Sequence, residues 1–182
     1  MTQHTKHLLA DALKVLMIKK PLQKITIKEL TDSCSVNRQT FYYHFDDIYQ
    51  LLAWIYKSEA VSLAADMSYR TWQCETTAIL EYLNENRAFC YATYRSLGKE
   101  YLERFLVSAY DTSVGRILDS MEEAKTLSPE DRTFIIRLYG YALSGVLQDW
   151  VASKFTVPPE KIAHQMCHSM EGTLLRMVKK FC

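Results

Sequence analysis

The chain has 182 residues, 48% of them hydrophobic and 24% charged, with a formal net charge of +1. That composition can bury a core in one domain, or in a small domain plus a larger one, and it excludes a disordered tail. No stretch reaches the roughly 18 uncharged apolar residues of a membrane span, and the N-terminal run "MTQHTKHLLADALKVL" carries Asp11 and Lys14 inside its apolar part, unlike a signal peptide, so a cytoplasmic location is expected.

From the N-terminus, Leu9, Ala12, Leu13, Leu16 and Met17 follow the spacing of an amphipathic helix. Lys19 and Lys20 favour its C-terminal dipole before Pro21 stops it. In "ITIKEL", Thr26 stands as an N-cap with Glu29 three residues later, a capping box, and Ile25 and Leu30 hold the two positions of a hydrophobic staple. A second helix therefore starts there and ends near Ser33. After a three-residue turn Asn37 is the next N-cap, and Val36 with Phe41 repeats the staple spacing. Two short helices joined by a tight turn predict a helix-turn-helix.

The second helix of the pair lies in "SVNRQTFYYHF". At about 100° per residue, Phe45 falls about 40° from Phe41, so these two mark the buried face. Gln39 and Tyr43 lie nearly opposite, flanked by Thr40 and Tyr42. A solvated surface helix would carry Lys and Glu, whereas this outer face is polar and aromatic with scarcely a charge. Gln bonds adenine bidentately, Thr offers a methyl group to thymine and Tyr reaches a phosphate or a base edge, so the face suits groove reading. Arg38 and His44 sit nearer the flanks, where phosphate contact is the expected role. The charge distribution agrees. Through residue 57 eight Lys and Arg stand against five Asp and Glu, a balance of +3, while the remainder has fourteen against sixteen, −2.

The stretch "ITIKELTDSCSVNRQTFYYHFDDIYQLL" resembles the N-terminal DNA-binding domain of TetR-family transcriptional regulators, in caps, turn length and aromatic run. Within that family "RQTFYYHF" with "LLAWIY" is most similar to the branch that regulates dihydroxyacetone kinase operons. The resemblance implies that Thr26 and Lys28 contact the DNA backbone, that Arg38, Gln39 and Thr40 face bases, and that Tyr42, Tyr43 and His44 hold phosphates; Asn37 completes the DNA-binding set. Two positions depart from the family pattern. Ser35 stands in the turn where Gly is frequent, so a slightly different turn is expected. Ile48 follows Asp46 and Asp47 where a Lys is frequent, so one phosphate contact is missing, and the two aspartates are good N-caps for a fourth helix.

That fourth helix keeps helical spacing through Ile48, Leu51, Leu52 and Ile55 and is expected to run to about Ser68, linking a reading domain of residues 1–47 to an effector and dimerisation domain of residues 48–182. Further helices are predicted within 73–93, within 99–124, over 129–154 and over 159–181, with Gly98 at one boundary. Ser128 caps the penultimate helix ahead of Pro129 and Asp131, and Pro158 and Pro159 precede the last. The penultimate helix carries more apolar surface than one face needs. Its Gly140, Ser144 and Gly145, together with Ile162, Met166, Met170, Leu174, Leu175 and Val178 of the final helix, suggest half of a four-helix homodimer interface. Two half-sites would also give a single helix-turn-helix the affinity it otherwise lacks. The middle helices are rich in aromatics: Trp72, Tyr82, Phe89, Tyr91 and Tyr94, then Tyr101, Phe105 and Tyr110. The resemblance places an inducer pocket in this region, with no particular residue assigned to it.

His164, Cys167, His168 and Glu171 share one helical stripe with spacing that could bind a transition metal, which makes a metal-responsive regulator an alternative; the expected reading is a semi-polar face with no metal or other cofactor. Cys34, Cys74, Cys90, Cys167 and Cys182 form no CxxC pair, arguing for reduced, packing cysteines. No GxSxG, HExxH, P-loop or dinucleotide fingerprint is present, so an enzyme is not expected. The expectation is an all-α, TetR-like chain: a three-helix DNA-binding domain and a helical ligand-binding and dimerisation domain. It would act as a homodimeric operator-binding repressor released by a small-molecule or protein effector. The alternative is an activator working with a protein coactivator.

Overall fold

The computed structural model describes residues 2–97 and 99–181, so Gly98 and Cys182 lie outside the described residues, as does the side chain of Tyr101. All regular elements among them are helical. Helix α1 (Thr2–Lys19) buries Leu9, Leu13 and Met17 on the expected face, with Ala10 beside them. Pro21 ends it, and a 3-10 turn over Leu22–Lys24 leads to α2 (Ile27–Ser33) and α3 (Arg38–His44). Ile25, Leu30 and Phe41 are buried and Val36 packs against the same core, so both staples close.

Helix α4 (Ile48–Glu59) starts on Asp47, whose Oδ1 accepts the Gln50 amide at 2.8 Å, and buries Ile48, Leu51, Leu52 and Ile55. It does not reach Ser68. The Ser58 and Ser62 hydroxyls donate to the carbonyls of Trp54 and Ser58, competing with the backbone ladder. The chain then tightens into a 3-10 turn over Val61–Ala64, held by Arg116 Nη1 donating to Ala64 O at 2.8 Å.

Two predicted helices are each broken in two. The 73–93 segment becomes α5 (Trp72–Glu85) and α6 (Arg87–Leu97), parted at Asn86, whose Nδ2 donates to Tyr82 O at 2.9 Å. After α7 (Lys99–Asp119) and α8 (Pro129–Ala152), the final segment divides into α9 (Pro159–Met170) and α10 (Thr173–Phe181) at Gly172, where φ is +71°. The Ser128 cap forms as expected, accepting the Asp131 amide at 3.0 Å.

The expected dimer residues are largely used within the chain. Ile162, Met166, Met170, Leu174 and Val178 are buried in the core. Gly140 lets α8 approach α7: a Cβ there would lie 2.5 Å from Asp111 Oδ1. Ser144, one turn further along α8, is also buried, its hydroxyl donating to Tyr141 O at 3.0 Å. Gly140 therefore serves packing inside one subunit, because α7 and α8 lie against each other along much of their length. What α8 leaves outward is a different stripe, Phe134, Leu138 and Tyr141, with Gly145 on it in open space and Val146 exposed further round the helix.

Candidate nucleic-acid interface and internal cavity

The helix-turn-helix is built from local chemistry. Thr26 Oγ1 accepts the Glu29 amide at 3.1 Å, and Asn37 Oδ1 accepts the Gln39 amide at 2.8 Å, so each cap satisfies an amide that the helix itself cannot. The Glu29 carboxylate pairs with Lys20, tying α2 to the end of α1. The turn holds Ser35 at φ +56°, the left-handed region that favours glycine. The departure from the family pattern therefore leaves the left-handed geometry in place; the backbone amides of Ser35 and Val36 bond to the carbonyls of Asp32 and Thr31 and hold it there.

Phe41 and Phe45 are buried, with ring centroids 5.9 Å apart, and they set the orientation of α3. Tyr43 is 78% exposed and Tyr42 51%, with Arg38 and Gln39 also exposed and Thr40 and His44 half-buried. One continuous outer face thus carries the residues singled out in the sequence from Arg38 to His44. Thr26 and Asn37 are exposed at the two caps. Lys28 is exposed on α2, but its Nζ lies 2.6 Å from Asp32 Oδ2, so it reaches a phosphate only by exchanging partners.

Lys6, which the sequence reading did not single out, stands beside this face. Its ammonium lies 5.7 Å from the Phe45 ring centroid and 5.8 Å from that of Trp54. Burial and then the Lys6 charge hold the His44 imidazole below its ordinary pKa of 6.5, so His44 presents a neutral N–H at neutral pH. The only available sequence signal for Lys6 was a cation near the start of α1.

Behind α4 the body encloses a cavity of about 100 Å³. Tyr49, Leu52 and Tyr56 of α4 wall it on one side, Phe105 and Tyr110 of α7 and Gln148 of α8 on the other. Of the eight middle aromatics, Phe105 and Tyr110 line it; Trp72 lines a smaller neighbouring space; Phe89 is core; and Tyr82 donates to Glu59 Oε2 at 2.6 Å. The Tyr56 hydroxyl donates to Thr93 Oγ1 at 2.9 Å, and burial pushes the Cys90 thiol up to about 12. The wall is therefore neutral.

The metal-spaced stripe does not assemble. His164 and His168 are exposed and stack at 5.7 Å, whereas Cys167 turns inward towards Gln73 O. Among the described residues no three His, Cys, Asp or Glu side chains converge as metal ligands.

A short helix locked by two phenylalanines, with its polar side turned outward from a helical body, is the arrangement of a DNA-binding regulator. Residues 9–55 match bacterial regulatory proteins of the tetR family, and residues 70–172 match a transcriptional regulator C-terminal region of TetR type. The chain belongs to the TetR family of transcriptional regulators. It is 27% identical over 148 residues to the HTH-type dhaKLM operon transcriptional activator DhaS of Lactococcus lactis subsp. lactis (strain IL1403), covering 80% of this chain and 78% of that protein. A solved dihydroxyacetone kinase operon activator DhaS superposes with a TM-score of 0.73 at 24% identity, covering 97% of each chain. A tetR-family regulator from Streptomyces coelicolor superposes with a TM-score of 0.57 at 14% identity, covering 98% of this chain and 90% of the other. These relatives are regulators, not enzymes, and no helix among the described residues is long and apolar enough to cross a membrane.

Proposed function

We propose that the protein binds a two-fold operator as a homodimer, reading base edges with Arg38, Gln39 and Thr40 while Tyr42, Tyr43, His44, Thr26 and Lys28 hold phosphates and Asn37 caps the reading helix. The observation that carries this reading is the outer face of α3, polar and aromatic where a merely solvated helix would be charged. Lys6 supplies the phosphate contact that the Asp46 and Asp47 pair withholds from the start of α4. Residues 1–47 form the reading unit and 48–182 the responding body, with α4 between them. The outward face of α8 receives the second copy, because Phe134, Leu138 and Tyr141 line up along one side of a long helix and leave their apolar surface exposed.

The cavity is the effector site. It lies against α4, so an occupant that displaces Tyr49 or Tyr56 moves the helix whose start abuts α3. Repression by covering promoter DNA, relieved by the effector, is the first reading. Activation is the second, favoured by the likeness to a relative described as an operon activator. Selection of bound sequences from random duplex DNA tests the whole. A palindromic consensus with half-sites about one helical turn apart supports it, and recovery of unrelated sequences, with no consensus, refutes it.

A further inference from the structure

A second space of about 30 Å³ adjoins the main cavity, and Ile79, Tyr110 and Ser113 line both. Its far wall includes Met67, Met166 and Met170, flexible thioethers that adapt to an apolar occupant. Among the described residues, the walls of the two spaces contain no Asp, Glu, Lys, Arg or His.

The polar groups of the main wall fall into two sets. Tyr56 donates to Thr93, Thr93 donates to Phe89 O at 3.0 Å, and Ser113 donates to Ala109 O at 3.1 Å, so these are already engaged. Gln148, only 8% exposed, has a buried Oε1 with no hydrogen-bond partner. The Tyr110 hydroxyl has no partner among the described residues either, and burial raises its pKa, so it remains a neutral donor. A buried amide oxygen left unpaired is costly, and its presence beside a cavity calls for an occupant that completes it.

We infer that the cavity takes a neutral, mainly apolar molecule bearing one hydroxyl or amide, with that group set between Gln148 and Tyr110 and the apolar part extending towards the methionines. This rests on the reading of the cavity as an effector site. A hydroxyl both donates and accepts, so it matches the amide oxygen of Gln148 and the phenol of Tyr110 together. An ion entering the same space would lose its hydration and meet no counter-charge.

Calorimetric titration of the full chain at neutral pH with 1-octanol, octanoate and octylammonium tests the class. The alcohol should bind at least tenfold more tightly than either ion, and Gln148→Leu should weaken alcohol binding about tenfold with helicity unchanged. Equal or tighter binding of an ion, or no binding of the alcohol, overturns the proposal. A second variant, Ala109→Trp, fills the main cavity; octanol binding that survives it would also overturn the assignment of the site. Operator affinity measured in the same samples separates the two readings. Octanol that binds with the expected selectivity yet leaves operator affinity unaltered keeps the ligand class and removes the effector role.

Discussion

Lys14 of α1 and Glu59 at the end of α4 form a largely buried ion pair, and Tyr82 of α5 donates its hydroxyl to the same Glu59 oxygen at 2.6 Å. One carboxylate thereby ties the first helix of the reading unit to α4 and to the body. Lys14→Met strands the carboxylate and is expected to cost about 2 kcal/mol, between the values for exposed and buried pairs. Adding Glu59→Gln to that variant should recover part of the loss. Urea unfolding of the single and double variants measures both, and equal stability of wild type and Lys14→Met would show that the pair contributes nothing.

Ser35 occupies the left-handed region, which disfavours a residue with a Cβ by about 1 to 2 kcal/mol. Glycine removes that strain but adds freedom to the unfolded chain, so Ser35→Gly should stabilise by up to about 1 kcal/mol. Ser35→Val should destabilise, since a branched side chain tolerates this conformation least. Thermal unfolding at matched concentration checks the order of the three, with operator affinity unchanged for the glycine variant.

Gln39 points away from Phe41 and Phe45, so Gln39→Ala is expected to cost about 1 to 3 kcal/mol on the preferred operator and to relax selectivity at one base pair per half-site. Tyr42→Phe should weaken binding by a similar factor on all sequences, because phosphate contacts position the helix without reading it. Titration of both variants against single-base operator mutants distinguishes the roles. A uniform loss for Gln39→Ala would show that the reading face is assigned wrongly.

The lowered pKa of His44 gives operator binding a pH signature. The folded chain holds this imidazole neutral, so its contribution to stability is present above the ordinary value of 6.5 and is lost as pH falls through the lower folded value. Operator affinity should move the other way: protonation beside a phosphate strengthens the contact, so binding tightens as pH falls below 6.5. His44→Ala should remove that increment. Lys6→Ala should reduce the slope of log affinity against log salt by about one per half-site, about two for the dimer, and raise the His44 pKa, which proton NMR of the ring reads directly.

Gly140 and Gly145, five residues apart on α8, should respond in opposite ways to bulk. Gly140→Leu collides with Asp111 and should lower the unfolding temperature of each subunit. Gly145→Arg has open space and lies on the exposed apolar stripe, so it should leave the subunit folded while shifting light scattering from dimer to monomer and weakening operator binding in step. Dimer content unaffected by Gly145→Arg would move the interface off this stripe.

The caps at Thr26, Asn37, Asp47 and Ser128, the staples around α2 and α3 and the outward face of α3 were all readable in the sequence, because each depends on residues within about four positions of one another. The same locality exposed the helix-turn-helix and the purely helical class. Helix breaks at Ala60 and Asn86 were less legible. Serine and asparagine side chains there take carbonyls from the ladder, and their effect on continuity depends on what the neighbouring helices stabilise, as Arg116 does for Ala64. Tertiary packing alone decided that Gly140 faces α7 rather than a second subunit, that Ser144 and the apolar residues of α9 and α10 are buried inside the chain, and that Lys6 comes to stand beside Phe45. It also brought Tyr56, Tyr110 and Gln148 from three distant helices around one space. Periodicity marks an apolar face but carries no address for its partner; that address is set by how helices far apart in sequence fill one volume.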